Sequence, residues 1–166
     1  FNQSIYPCEI RWIASYLANR SAFVYVNRAV SNTFQPTAGV PQGGVVSPLL
    51  YLLFVNDLPL PNTQRASGSQ HVDDVGVWST ALNPLDARDD MDEAVLDLTG
   101  FCSRWRIKLN PGKTKLIYYK ASTKKLTTYQ HNSMRVRMYD QMLELASSAK
   151  FLGVTFDHAG LFHKQA

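Results

Sequence analysis

Asp73 and Asp74 stand side by side in Ser69–Trp78, SQHVDDVGVW, between segments that look like strands. Neighbouring carboxylates repel, by about 1 kcal/mol at 4 Å in water and about 4 kcal/mol near a protein surface. Two settings tolerate that repulsion. A solvated turn does so because Asp is a good turn residue. A divalent cation does so because hard cations such as Mg²⁺ favour carboxylate oxygens beside phosphate oxygens. The chemistry that uses adjacent carboxylates in this way is phosphoryl transfer across two ions about 3.5–4 Å apart. A tight turn between strands offers such a pair at a sheet edge. The pair alone decides nothing between the two settings.

The positioning elements come from the rest of the chain. Pro7 to Asn19 has apolar residues at 13 and 17 and at 12 and 16, a helical repeat. Ala22 to Val26 reads as a strand, and a hairpin is expected to turn near Asn27 to Asn32 before Thr33 to Thr37. AGVPQGGVV is a glycine-rich loop leading to Ser47-Pro48, expected as N-cap and first turn of a helix. That helix, PLLYLLFVNDL, is apolar nearly all round and is expected to be buried, with Pro59 and Pro61 ending it. Ala66 to Trp78 should form two short strands with the Asp pair at their turn. The second, VGVW, is well patterned, whereas the first is small and polar and contains Gly68. Asn83-Pro84 opens a helix to about Arg106, striped by Met91, Val95, Leu98, Phe101, Cys102 and Trp105. LNPGKTK is a loop into LIYY, and two or three more strands end at KFLGVTF. The expected class is α+β, an antiparallel sheet covered by helices on one face.

Bulk properties bound the partners. The chain has 166 residues, 45% hydrophobic and 18% charged, with a net charge of +4. That is a globular composition with a mild basic excess, compatible with nucleic acid but not diagnostic of it. Cys8 and Cys102 lie far apart in no metal-ligand spacing, so a reducing, intracellular compartment is the default, with nucleus and cytoplasm both open. The longest apolar run, Pro48 to Val55, falls far short of the ~20 residues of a membrane span. The chain begins at Phe1, and part of its machinery is expected upstream in the same polypeptide.

GVPQGGVVSPLLYLLFVNDLP, followed at a short interval by the Asp pair, resembles the reverse transcriptases of non-LTR (LINE-type) retrotransposons. WRIKLNPGKTKLIYY and KFLGVTFD look like the next blocks of that family, and SYLANRSAFVYVN like its helix and hairpin before the loop. The resemblance implies the palm of a right-hand polymerase, incomplete at its N-terminus. Residues 1–166 would be the later part of that domain, the last of them approaching the palm–thumb junction. It implies an RNA-directed DNA polymerase with an RNA template, a DNA primer and deoxynucleoside triphosphates. Two Mg²⁺ ions, with Mn²⁺ as an alternative, would serve attack of the primer 3′-hydroxyl.

Residue by residue, Asp73 and Asp74 match the family's metal-binding carboxylates. Pro41, Gln42 and Gly43 match its loop at the template–nucleotide pair, where Gly43 would allow close approach of backbone. Lys113 matches a lysine that protonates or pairs with departing pyrophosphate; the bland reading is a solvated loop lysine. Phe151, Leu152 and Gly153 would lie in a hairpin at the primer terminus, and His71 would contact the primer. Arg104, Arg106, Lys108, Lys113 and Lys115 form a local basic group that would meet phosphates or simply face solvent. Two departures stand out. His71-Val72 replaces the family's aromatic-alanine pair, bringing a titratable ring beside the carboxylates. The third aspartate of the family would lie upstream of Phe1. The alternative reading is therefore an inactive palm remnant or decayed retroelement copy that at most binds nucleic acid.

Overall fold

The computed structural model describes residues 5–119 and 134–160. The chain forms two compact units, Phe1–Asn56 and Asp57–Ala166.

In the first unit, α1 spans Pro7–Leu17. Pro7 is in its first turn, and Glu9 reaches back to accept from the Tyr6 backbone N–H at 2.8 Å. Trp12 and Tyr16 stack one turn apart, centroids 5.6 Å, as their spacing requires. Strands β1 (Tyr25–Val26) and β2 (Ala29–Val30) pair antiparallel. Their turn is tighter than the expected one: Asn27 and Arg28 alone make it, both left-handed at φ 48° and 65°. The strands run on through Val24 and Ser31 to a bridge between Ala22 and Phe34.

Helix α2 runs Ser47–Val55. It starts where expected, but Ser47 is not its cap. Val46 precedes the helix, and the Ser47 hydroxyl donates to the Pro41 carbonyl at 2.5 Å. The expected burial of α2 is not met either. Only Ser47 and Val55 are buried, while Leu49, Leu52 and Leu53 remain at least half exposed. Among the described residues of its unit, Ile10, Trp12, Phe23, Tyr25 and Phe34 are also more than half exposed, so apolar side chains are present there but do not close over the helix.

In the second unit, β3 (Ala66–His71) and β4 (Asp74–Ser79) form a six-pair antiparallel hairpin. Helix α3 (Pro84–Arg104) follows, with Asn83 Oδ1 accepting from the Leu85 N–H at 3.0 Å. It ends two residues before the expected Arg106. There Arg106 turns left-handed at φ 56°, and the Ile107 N–H reaches the Cys102 carbonyl at 2.8 Å. α3 rests on β4 and on β6. Ala87, Ala94, Leu98 and Cys102 are its buried residues. Met91 and Val95 join Leu109 and Leu116 around Val136, Met138 and Leu143. Trp105, placed on the stripe by its spacing, is 47% exposed because the helix has already ended.

The remaining strands are short: β5 (Lys115–Leu116), β6 (Arg137–Met138), β7 (Gln141–Met142), β8 (Glu144–Leu145), β9 (Ser148–Phe151) and β10 (Val154–Asp157). The α+β class holds, but the single antiparallel sheet does not. Among the described residues there are five two-stranded pairs, and β5 with β8 is parallel. LIYY is a strand only at its start, through Leu116. The expectation for the final residues, 161–166, lies outside the described residues.

Candidate functional site

The Asp pair sits at the tip of β3–β4. His71 pairs with Asp74 across the ladder, leaving Val72 and Asp73 as a two-residue turn. Only Val72 is left-handed, at φ 54°, a position that glycine usually holds in a II′ turn. Gln70 Nε2 donates to the Val72 carbonyl at 2.8 Å and steadies the turn. His71, Asp73 and Asp74 are all exposed. As a directly opposed pair, His71 and Asp74 have Cβ atoms about 5 Å apart.

Alternation divides the hairpin into two faces. Ala66, Gly68 and Gln70 share one face with Val75, Val77 and Ser79. This is the supported face. A Cβ on Gly68 would come within 3.2 Å of Leu60 and Pro61, which explains the small residues that made β3 read poorly as a strand. Ser79 Oγ donates to Asp90 of α3 at 2.6 Å, and Arg65 donates to the same carboxylate at 3.0 Å. The base of the hairpin is thus fastened to α3, at the end away from the aspartates. The other face carries Ser67, Ser69 and His71 with Asp74, Gly76 and Trp78.

The second hairpin meets that face. β9 and β10 pair antiparallel around Leu152 and Gly153, left-handed at φ 49° and 83°, the conformation of a I′ turn. The Phe151 ring lies against Gly76, with Cζ 3.2 Å from where a Cβ would stand. His71, Asp74 and Phe151 are therefore brought to one side of one hairpin. Gly76, which makes the approach feasible, was missed; a glycine inside a well-patterned strand was its signal.

Pro41, Gln42 and Gly43 belong to the first unit. The Gly44 N–H donates to the Pro41 carbonyl at 3.1 Å, closing a β-turn with Gly43 at its third position, φ 81°. A type II turn requires this of its third residue, so the turn itself accounts for Gly43. Gln42 is exposed. Gly44 was not singled out, yet a Cβ there would collide with the Tyr16 hydroxyl and lie 2.7 Å from Ser47 Oγ. Arg20 completes the support, donating to the Leu17 carbonyl at 3.0 Å and to the Gly39 carbonyl at 2.7 Å.

Lys113 is exposed in the turn after α3, where its N–H and that of Thr114 both donate to the Asn110 carbonyl at 3.1 Å. Of the basic group, Lys115 pairs with Glu144 on the neighbouring strand, which accounts for its charge without phosphate. Burial pushes the Cys102 thiol up. Burial, and then the charge of Asp157, raise the Tyr119 hydroxyl.

Two carboxylates at an exposed tip fit part of a site for hard divalent cations. Among the described residues, no group of three His, Cys, Asp or Glu is placed to hold a metal. Nor, among them, is any helix long and apolar enough to cross a membrane.

The glycine-turn loop, the exposed Asp-Asp tip and the hairpin packed beside it follow one another as a polymerase of this kind would order them. The chain belongs to the reverse transcriptase family, RNA-dependent DNA polymerases, whose model matches residues 2–156. It is 32% identical over 151 residues to a Drosophila melanogaster protein named "Probable RNA-directed DNA polymerase from transposon BS", covering 87% of this chain and 16% of that protein. A second relative from Drosophila melanogaster, "Probable RNA-directed DNA polymerase from transposon X-element", is 29% identical over 92% of this chain and 16% of its own length. The "RNA-directed DNA polymerase from mobile element jockey" of Drosophila funebris is 26% identical over 95% of this chain and 17% of its own length. The chain thus spans about 16% of the length of these relatives. No solved structure matches it.

Proposed function

We propose that this chain is the later part of a reverse transcriptase palm, working within a longer polypeptide of a non-LTR retrotransposon. There it extends a DNA primer on an RNA template from deoxynucleoside triphosphates. The observation that carries this reading is the β3–β4 tip, where Asp73 and Asp74 are exposed on a hairpin whose outer face also receives Phe151. Asp73 and Asp74 would hold divalent ions, Mg²⁺ in the first instance, together with a carboxylate from outside the described residues. Such ions, when bound, lower the pKa of the primer hydroxyl and neutralise charge on the leaving pyrophosphate.

The chain's own residues do the rest. The β9–β10 turn at Leu152-Gly153 lies beside the primer terminus and positions it. His71, across from Asp74, lines the same face and contacts the primer. Gln42, exposed on its type II turn, hydrogen-bonds the template–nucleotide pair. Lys113, on its turn closed by the Asn110 carbonyl, offers a cation to the departing pyrophosphate.

The test uses the full polypeptide that carries this segment, with a DNA primer annealed to an RNA template. Asp73→Asn should lower incorporation at least about a thousandfold, as expected when a metal-binding ligand of a two-ion site is neutralised. Primer–template affinity measured in EDTA should stay within about threefold. Extension that survives Asp73→Asn would refute the reading. A parent protein that binds primer–template but never extends it would point instead to the inactive remnant.

A further inference from the structure

A side chain at 76 would press on the Phe151 ring. An added Cβ would stand 3.2 Å from Cζ and 3.5 Å from Cε1 of the ring. Ordinary carbon–carbon contact is about 3.5–4.0 Å. Gly76 is in the β-region, with no left-handed φ to demand glycine, so the approach of the ring is what the missing side chain serves. Gly76 lies two residues from Asp74 on the same face, about 7 Å along the strand. Phe151 directly precedes the Leu152-Gly153 turn. The ring therefore bridges the strand that begins with Asp74 and the hairpin assigned to the primer.

We propose that Gly76 and Phe151 act as a positioning pair, a spacer that fixes how far the primer hairpin stands from the carboxylate-bearing strand. This rests on the proposed polymerase function. A methyl at 76 displaces the ring by roughly half an ångström, and the hairpin with it. A misplacement of 1 Å costs about a hundredfold in a reaction that depends on alignment, so half of that costs about tenfold. The effect falls on turnover, because neither residue is assigned to bind the nucleotide.

The experiment uses the full polypeptide with Gly76→Ala, Phe151→Leu and the double variant. Gly76→Ala should reduce kcat about tenfold and leave the nucleotide KM within about twofold. In EDTA, primer–template affinity should be unchanged, while 2-aminopurine at the primer 3′ end should change its emission. Phe151→Leu alone should lower kcat only a few-fold, about threefold. Combined with Gly76→Ala, the smaller leucine should relieve the crowding and leave about the threefold loss of Phe151→Leu alone. Unchanged turnover in Gly76→Ala would overturn the proposal, as would a double variant equal to the product of the singles. Should Gly76→Ala fail to fold, Phe151→Trp crowds the same contact from the other side, and unchanged turnover there overturns the proposal equally. A parent protein without Asp73-dependent extension would defeat the polymerase reading itself; a working parent indifferent to these changes would defeat only the spacer.

Discussion

Val72 holds a conformation that its side chain opposes, and replacing it should strengthen the hairpin. An L-residue in the left-handed region costs about 1–2 kcal/mol, and a β-branched one sits at the upper end. Val72 at φ 54° is such a residue. Glycine removes the whole penalty but gives back about 0.5–1 kcal/mol through the freedom of the unfolded chain. Because Val72 is 52% exposed, truncation forfeits little packing. The net gain for Val72→Gly is about 1 kcal/mol. Val72→Asn tolerates the conformation without glycine's entropy and should gain at least as much, about 1 kcal/mol. Val72→Ala relieves only the branching, about 0.5 kcal/mol. Hydrogen exchange at the ladder amides of β3 and β4 reads the local opening directly, and 1 kcal/mol slows it about fivefold. The reasoning fails if alanine protects as well as glycine, or if asparagine protects no better than valine.

Asp90→Ala should destabilise the second unit by about 2 kcal/mol, since it strips an ionised acceptor from Ser79 and Arg65. Arg65→Ala should cost only about 0.5 kcal/mol because Arg65 is 56% exposed; equal shifts in urea midpoint would contradict this. Gly44→Ala should disrupt the loop around Pro41–Gly43 through its clash with Tyr16, detected as faster proteolysis of that loop; Tyr16→Phe should partly rescue it. Iodoacetamide should label exposed Cys8 quickly and Cys102, 1% exposed with a raised pKa, only on unfolding. The same shift has a sign. The unfolded thiol ionises near about pH 8.5 and the folded one higher, so its stabilising contribution is full below about pH 8 and is lost as pH rises further. Tyr119 adds a loss of the same sign nearer pH 10. Urea midpoints between pH 7 and 10 should therefore fall, the earlier part of the fall being absent in Cys102→Ala.

What could be read from the sequence was local. VGVW alternates, Asn83-Pro84 is a helix start, and a residue pair between two strands is a turn, so the Asp-Asp tip and α3 were legible. What could not be read depends on partners distant in the chain. ASGSQ looks unfit for a strand until Leu60 and Pro61 are seen lying over Gly68. Ser47 has the chemistry of a cap, but it stands one residue inside the helix, where its hydroxyl donates to the Pro41 carbonyl. Lys115 reads as a phosphate contact until Glu144 is placed on the adjacent strand. Periodicity likewise shows that α2 is apolar all round, but not that Leu49, Leu52 and Leu53 stay at least half exposed.

The two faces of β3–β4 separate what a substitution damages. At Ala66, Gly68, Val75, Val77 and Ser79, changes press on Leu60, Pro61 or α3, and the harm should appear as lost yield of folded protein. At Ser69, His71, Asp74 and Gly76, the fold should survive while turnover falls. A saturation library over residues 66–79, sorted first for soluble expression and then, among the soluble variants alone, for primer extension, should therefore give two tolerance maps that alternate along each strand, the positions sensitive in one being tolerant in the other.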